Sequence, residues 1–152
     1  MKKLVAAVLF IVCVCSFAPC LAGGAWIAAV PDAQSVQKGG EVQVTVRLGW
    51  WEACPGFALL RVSYDSKLME LSFVDILDGR VYSVGGGNGE IALVCRPTDG
   101  MSPGDGEFDA VKLTFKALKK GSCAVKPQIA QATDVRWTEI SAQSSYTVIG
   151  IE

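Results

Sequence analysis

Four carboxylates crowd one short segment of this chain: Asp99, Asp105, Glu107 and Asp109. A carboxylate pair can cleave a glycosidic bond, one member as acid and the other as base or nucleophile. Converging carboxylates can also hold calcium. The segment 98–107, however, is rich in Gly and Pro, and the plainer expectation is a solvated connection. The order of an EF-hand loop is absent, and no metal site is expected. The chain has no histidine. That removes the commonest general base and metal ligand, and with them the Ser-His-Asp and Cys-His nucleophile systems. The glycine cluster 85–89 lacks the Lys-Ser/Thr of a phosphate loop and reads as a hairpin turn. No catalytic residue and no cofactor are expected, so the chain is not expected to be an enzyme.

Two other sets of residues could do chemistry. Trp50 and Trp51 are adjacent at a Gly49 corner. Neighbours in an extended segment point to opposite sides, so one is expected in the core and the other outside, where an indole can stack on a sugar ring. That supports carbohydrate binding as an alternative function. Cellulose would ask for a flat strip of aromatics, and Trp137 in a late loop is the only further candidate; a lid over the end of the fold is the plainer role. Cys54, Cys95 and Cys123 are the cysteines outside the N-terminal segment. They are either partly bridged or reduced and buried as small apolar groups.

The elements that must position these residues read as strands. Glu41 to Leu48 alternates cleanly, with Val42, Val44, Val46 and Leu48 on one face. Residues 110–118 alternate again around Val111, Leu113, Phe115 and Ala117. Residues 57–64 put Ala58, Leu60, Val62 and Tyr64 on one side, before the polar turn Asp65-Ser66-Lys67. Further strands are expected at 27–30, 69–76, 80–84, 90–96, 123–129 and 146–151, with Asn88-Gly89 closing a hairpin. About nine strands and no window of helical period define an all-β sandwich.

The N-terminus sets the compartment. Met1-Lys2-Lys3 is a basic head, 4–17 is uncharged and apolar, and Cys20-Leu21-Ala22 offers small residues for cleavage. These are the parts of a secretory signal peptide over 1–22. The apolar run of about 14 residues is short for a membrane span of roughly 20. A retained anchor at the cell surface is the alternative; a lipoprotein built on Cys20 fits less well beside Pro19. The remaining chain of about 130 residues is enough for one domain. It holds no second spanning stretch and no internal repeat, and its net charge of −1 points to neither nucleic acid nor an anionic membrane. A secreted monomer is expected.

The run 56–74, GFALLRVSYDSKLMELSFV, joins an apolar strand, Tyr-Asp, a short turn and a Leu-Met-Glu-Leu strand. It resembles the cohesin domain, the receptor module of cellulosome-type assemblies. The stretches FKALKKGS at 115–122, ATDV at 132–135 and the closing 145–151 resemble the same family. The likeness covers 27–152 and implies a nine-stranded jelly-roll sandwich. It implies a dockerin-bearing protein partner and a link to polysaccharide binding and catabolism. Cohesins bind through the sheet face ordered eighth-third-sixth-fifth. On that resemblance the partner-facing positions are Phe57, Leu59, Arg61 and Ser63 of the third strand and Ala92, Val94 and Arg96 of the sixth. Tyr82 of the fifth strand joins them, as does Asp99, flanked by Thr98 and Gly100. The family commonly places polar residues such as Asn and Asp at corresponding positions of this strand; neither stands at those positions here. The dockerin side carries Asp-rich calcium loops, and this chain has none. In the same arrangement the ends carrying Cys54 and Cys95 are neighbours, which implies a Cys54–Cys95 bridge. A sandwich that keeps the fold but no longer binds dockerin is the remaining alternative.

Overall fold

The computed structural model describes residues 24–52, 55–97, 105–134 and 136–152. The expected leader at 1–22 lies outside the described residues, as do Cys54, Thr98, Asp99, Gly100 and Val135. The elements are β1 (Gly24–Pro31), β2 (Ser35–Val36), β3 (Glu41–Trp51), β4 (Phe57–Ser63), β5 (Met69–Ile76), β6 (Val81–Gly87), β7 (Glu90–Cys95), β8 (Gly106–Ala117), β9 (Gly121–Thr133), β10 (Ser141–Ser145) and β11 (Thr147–Ile151). They form two sheets, β10-β1-β3-β8-β5 and β2-β11-β9-β4-β7-β6.

Nine of these strands are those the alternation predicts. The two additions, β2 and β10, lie at sheet edges. β2 has two residues, too few to show a period. β10 reads SAQSS and is exposed throughout, so it has no apolar face to reveal it. It is held by parallel pairing to β1, from Gly24 opposite Ser141 to Ala28 opposite Ser145.

The core lies between the sheets because each long strand buries alternate residues. β3 contributes Val42, Val44, Val46, Leu48 and Trp50; β8 contributes Val111, Leu113, Phe115 and Ala117. Opposite them stand Ala58, Leu60 and Val62 of β4 and Ile91, Leu93 and Cys95 of β7. Each fully buried Val, Leu, Ile or Phe contributes on the order of 1.5–3 kcal/mol of apolar transfer energy. A one-residue slip of β4 would move that whole set into water, so the register is strongly fixed. Tyr64 meets the Phe115 ring edge-on at 4.9 Å, linking the corner after β4 to the opposite sheet.

One end of the sandwich is closed by Trp50 and Phe108, whose rings lie 6.3 Å apart. The Arg80 guanidinium sits 4.0 Å over the Phe108 ring and bonds Asp78 at 2.7 Å. The hydrogen bond from Arg80 holds the Asp78 carboxyl below its ordinary value. At the β6–β7 hairpin, Asn88 and Gly89 take φ of 54° and 104°, the left-handed pair that a two-residue turn requires.

Two expectations are corrected here. Glu107 and Asp109 do not belong to a solvated connection, since β8 already begins at Gly106. Arg47 of β3 binds Asp109 at 2.7 Å and reaches Glu107 at 3.9 Å, so these carboxylates brace neighbouring strands. The Arg47 pKa is raised, chiefly by its hydrogen bond to Asp109. Second, the Cys95 thiol is free, where the resemblance implies a bridge to Cys54, which lies outside the described residues. Alternation along β7 turns its sulfur inward with Ile91 and Leu93. Burial, reinforced by the Asp78 charge, pushes the Cys95 thiol up to about 12. Cys123 is also free and buried. Both thiols are therefore expected to resist iodoacetamide at pH 8 in the folded protein and to react once it is unfolded in guanidinium. Rapid native labelling of Cys95, or a disulfide-linked Cys95 peptide in the mass spectrum, would contradict this placement.

Candidate partner-binding face

The residues of β4 that do not enter the core line the outer surface of the six-stranded sheet. Phe57 and Leu59 are half-buried there, while Arg61 and Ser63 are exposed. The antiparallel partner β7 sets Val94 opposite Leu59, Ala92 opposite Arg61 and Glu90 opposite Ser63. On the other side β9 sets Gln131 opposite Leu59, Gln128 opposite Arg61 and Lys126 opposite Ser63. Directly opposed residues share a face, so these side chains form one continuous surface. Tyr82 of β6 stands 66 % exposed, with the Arg96 guanidinium 5.5 Å over its ring. Arg61 reaches Glu90 at 3.9 Å, a loose and exposed pair. The structure thus brings Phe57, Leu59, Arg61, Ser63, Tyr82, Ala92, Val94 and Arg96 to one side of one sheet. Asp99, expected beside them, lies outside the described residues.

The face has one further member that strand periodicity does not reveal. Trp137 stands 73 % exposed in the turn after β9, with its ring centroid 6.4 Å from that of Phe57. The turn is tied by Asp134. Its carboxylate accepts the amides of Arg136 at 2.8 Å and Thr138 at 2.9 Å, while its own N–H donates to the Thr138 carbonyl. The Thr138 amide, helped by the amide and charge of Arg136, holds the Asp134 carboxyl below its usual value. The signal legible in sequence is the Asp itself, which favours turns by bonding amides two and four residues on. Thr133, opposite Phe57, is buried, and its hydroxyl oxygen has no hydrogen-bond partner.

The expected sugar-stacking pair is elsewhere. Trp50 is 7 % exposed and packs on Phe108 inside the end of the sandwich, so it cannot stack on a ligand. Trp51 is half-buried and covers Gly24 across the strand pair, leaving no room for a Cβ there. Trp26 covers Gly49 and Trp50 covers Gly106 in the same manner. Aromatic cover of strand glycines explains three of the four tryptophans without a ligand. Among the described residues, no three Cys, Asp or Glu side chains converge as metal ligands would. Among them, too, no helix is long and apolar enough to cross a membrane.

Two sheets in this order define a jelly-roll sandwich, and one of its outer faces is partly apolar. Its fold is that of cohesin modules. The CaCohA2 cohesin of Clostridium acetobutylicum, in its complex with CaDoc0917, matches with a TM-score of 0.66 at 17% identity, over 84% of this chain and 99% of that one. A non-cellulosomal cohesin from the archaeon Archaeoglobus fulgidus matches with a TM-score of 0.65 at 17% identity, over 85% and 91%. A type I cohesin–dockerin complex of Clostridium thermocellum matches with a TM-score of 0.61 at 15% identity, over 83% and 99%. No protein-family model and no curated protein matches the sequence.

Two outcomes follow from the Asp134 turn and its neighbour. A lowered carboxyl pKa means that the turn's support is complete above the ordinary aspartate value and is lost as pH falls through the folded value. The Trp137 indole N–H resonance should therefore hold its position down to about pH 4 and move below it, and Asp134→Asn should abolish that acid step. A shift centred near neutrality would contradict the assignment. Thr133→Val, which removes an unsatisfied hydroxyl at nearly constant shape, should raise stability by about 1 kcal/mol in urea unfolding; a loss of similar size would mean that the hydroxyl is bonded after all.

Proposed function

We propose that this protein is an exported, non-catalytic docking module that binds a dockerin-bearing partner through the outer face of β9-β4-β7-β6. The observation that carries the reading is the row Phe57, Leu59 and Val94 on the outer face of a sheet whose inner face already fills the core. Folding alone does not require apolar side chains there. Contiguous apolar surface with a polar rim marks sites that another molecule covers. Here the rim is Arg61, Arg96, Gln128 and Lys126. The fold adds support, since its neighbours include cohesins solved with dockerins. Binding would need little rearrangement, because strand pairing holds the face on both sides.

Export rests on the leader-like residues 1–22. An association with polysaccharide breakdown rests on the cohesin likeness; one neighbour is a cohesin module from a family 33 glycoside hydrolase of Clostridium perfringens, and another is a non-cellulosomal cohesin. Direct sugar stacking is not part of the proposal, since Trp50 is interior and Trp51 covers Gly24.

The test is binding of the purified chain to a panel of dockerin modules that includes CaDoc0917 and Doc918, by calorimetry with calcium present. At least one module should bind, and Leu59→Ala combined with Val94→Ala should weaken it by tenfold or more, about 1.4 kcal/mol. Phe73→Ala, on the outer face of the other sheet, should leave binding unchanged. Absence of binding across the panel would overturn the proposal in favour of a sandwich with a structural role. Unchanged affinity in the double variant would move the interface off this face.

A further inference from the structure

Trp137 sits in a place that folding alone does not explain. It is the largest exposed apolar side chain on the described surface, at 73 %. Its φ of 64° is left-handed, a conformation that a bulky residue adopts rarely and at a cost. Glycine would take this φ without strain, so a chain selected for stability alone would place glycine here. The other three tryptophans each cover a strand glycine. The Trp137 ring instead meets Phe57, itself on the outer face. Asp134 spends its carboxylate on two amides to hold this turn.

The charge of the adjoining face is lopsided. Across β4, β6, β7 with Arg96, and β9, the basic residues are Arg61, Arg96 and Lys126, and the only acid is Glu90. Glu90 is partly engaged by Arg61. The acids nearer the Trp137 turn, Asp134 and Glu139, are balanced in part by Arg136, so the positive excess lies further along the sheet.

We propose that the Trp137–Phe57 corner is the principal anchor for the partner, and that the partner presents an apolar side chain to it and carboxylates to Arg61, Lys126 and Arg96. The inference rests on the docking reading and specifies the chemistry of its ligand. Trp and Arg dominate the energetics of protein interfaces, where an exposed indole gains most from being covered. The basic excess selects an acidic partner surface and speeds its approach at low salt.

The experiment uses the full domain, a dockerin module that binds it, and three chains: wild type, Trp137→Gly, and Arg61→Glu with Lys126→Glu. Trp137→Gly should melt at or above the wild-type temperature, since it relieves the left-handed φ, yet bind at least ~30-fold more weakly, the range of an interface hot spot. The double charge reversal should weaken binding by tenfold or more at low salt, and its affinity should cease to fall as salt is added. If Trp137→Gly binds as wild type does, the anchor is elsewhere while the docking reading stands. If it melts several degrees lower, Trp137 is a packing residue and the inference fails. If charge reversal leaves binding unchanged or strengthens it, the acidic partner is wrong. If no dockerin module binds the wild type, the docking reading fails and the inference fails with it.

Discussion

Everything in this molecule depends on the period-two alternation of β4 held in register between β9 and β7. One row of that strand, Ala58, Leu60 and Val62, must be in the core, because moving it by one residue would expose all of it. The other row is then committed to the outer face whatever its chemistry. Here that row begins with Phe57 and Leu59 and continues with Arg61 and Ser63. The same constraint acts on β7, where buried Ile91, Leu93 and Cys95 oblige Ala92, Val94 and Arg96 to look outward. An outward surface thus comes with the core, and its composition is free to be set by something other than folding.

The tryptophans serve the two sheets differently. In the five-stranded sheet Trp26, Trp50 and Trp51 lie against glycines on neighbouring strands, restoring contact that a missing Cβ would forfeit. There they serve strand pairing and the closed end of the sandwich. On the six-stranded sheet Phe57, Tyr82 and Trp137 have an open side. Arg96 beside Tyr82 and Arg61 beside Glu90 add charged groups to the same surface. The carboxylates that stand out in the sequence turn out to brace strands: Asp109 and Glu107 with Arg47, and Asp105 as acceptor for the Glu52 amide.

Most of the fold was legible because long half-buried strands carry their own period. Met69–Ile76 falls where the apolar run predicts it, and the Asn88-Gly89 turn closes the hairpin its residue types demand. What was not legible had no local pattern. β10 is polar throughout and exists only because β1 offers an edge. The start of β8 at Gly106 was hidden by a Gly- and Pro-rich approach. The inward direction of Cys95 along β7 follows from the same alternation that buries Ile91 and Leu93, which a resemblance between strand orders does not convey. The outward row of the site could be read from alternation once the face was assigned. Trp137 could not, since it reaches the face from a turn whose geometry is set by Asp134 bonding forward along the chain.

The claim that one outer row of this sandwich exists to be covered is tested most directly by hydroxyl-radical footprinting of side chains, with and without a bound dockerin module. In the free protein Trp137, Tyr82 and Phe57 should oxidise while Trp50 does not. On binding, Trp137, Phe57 and Leu59 should become protected, and Phe73 on the opposite sheet should keep its rate. Protection confined to Phe73, Trp26 or Trp51, with Trp137 and Phe57 oxidised as before, would place the partner on the other sheet and contradict the account.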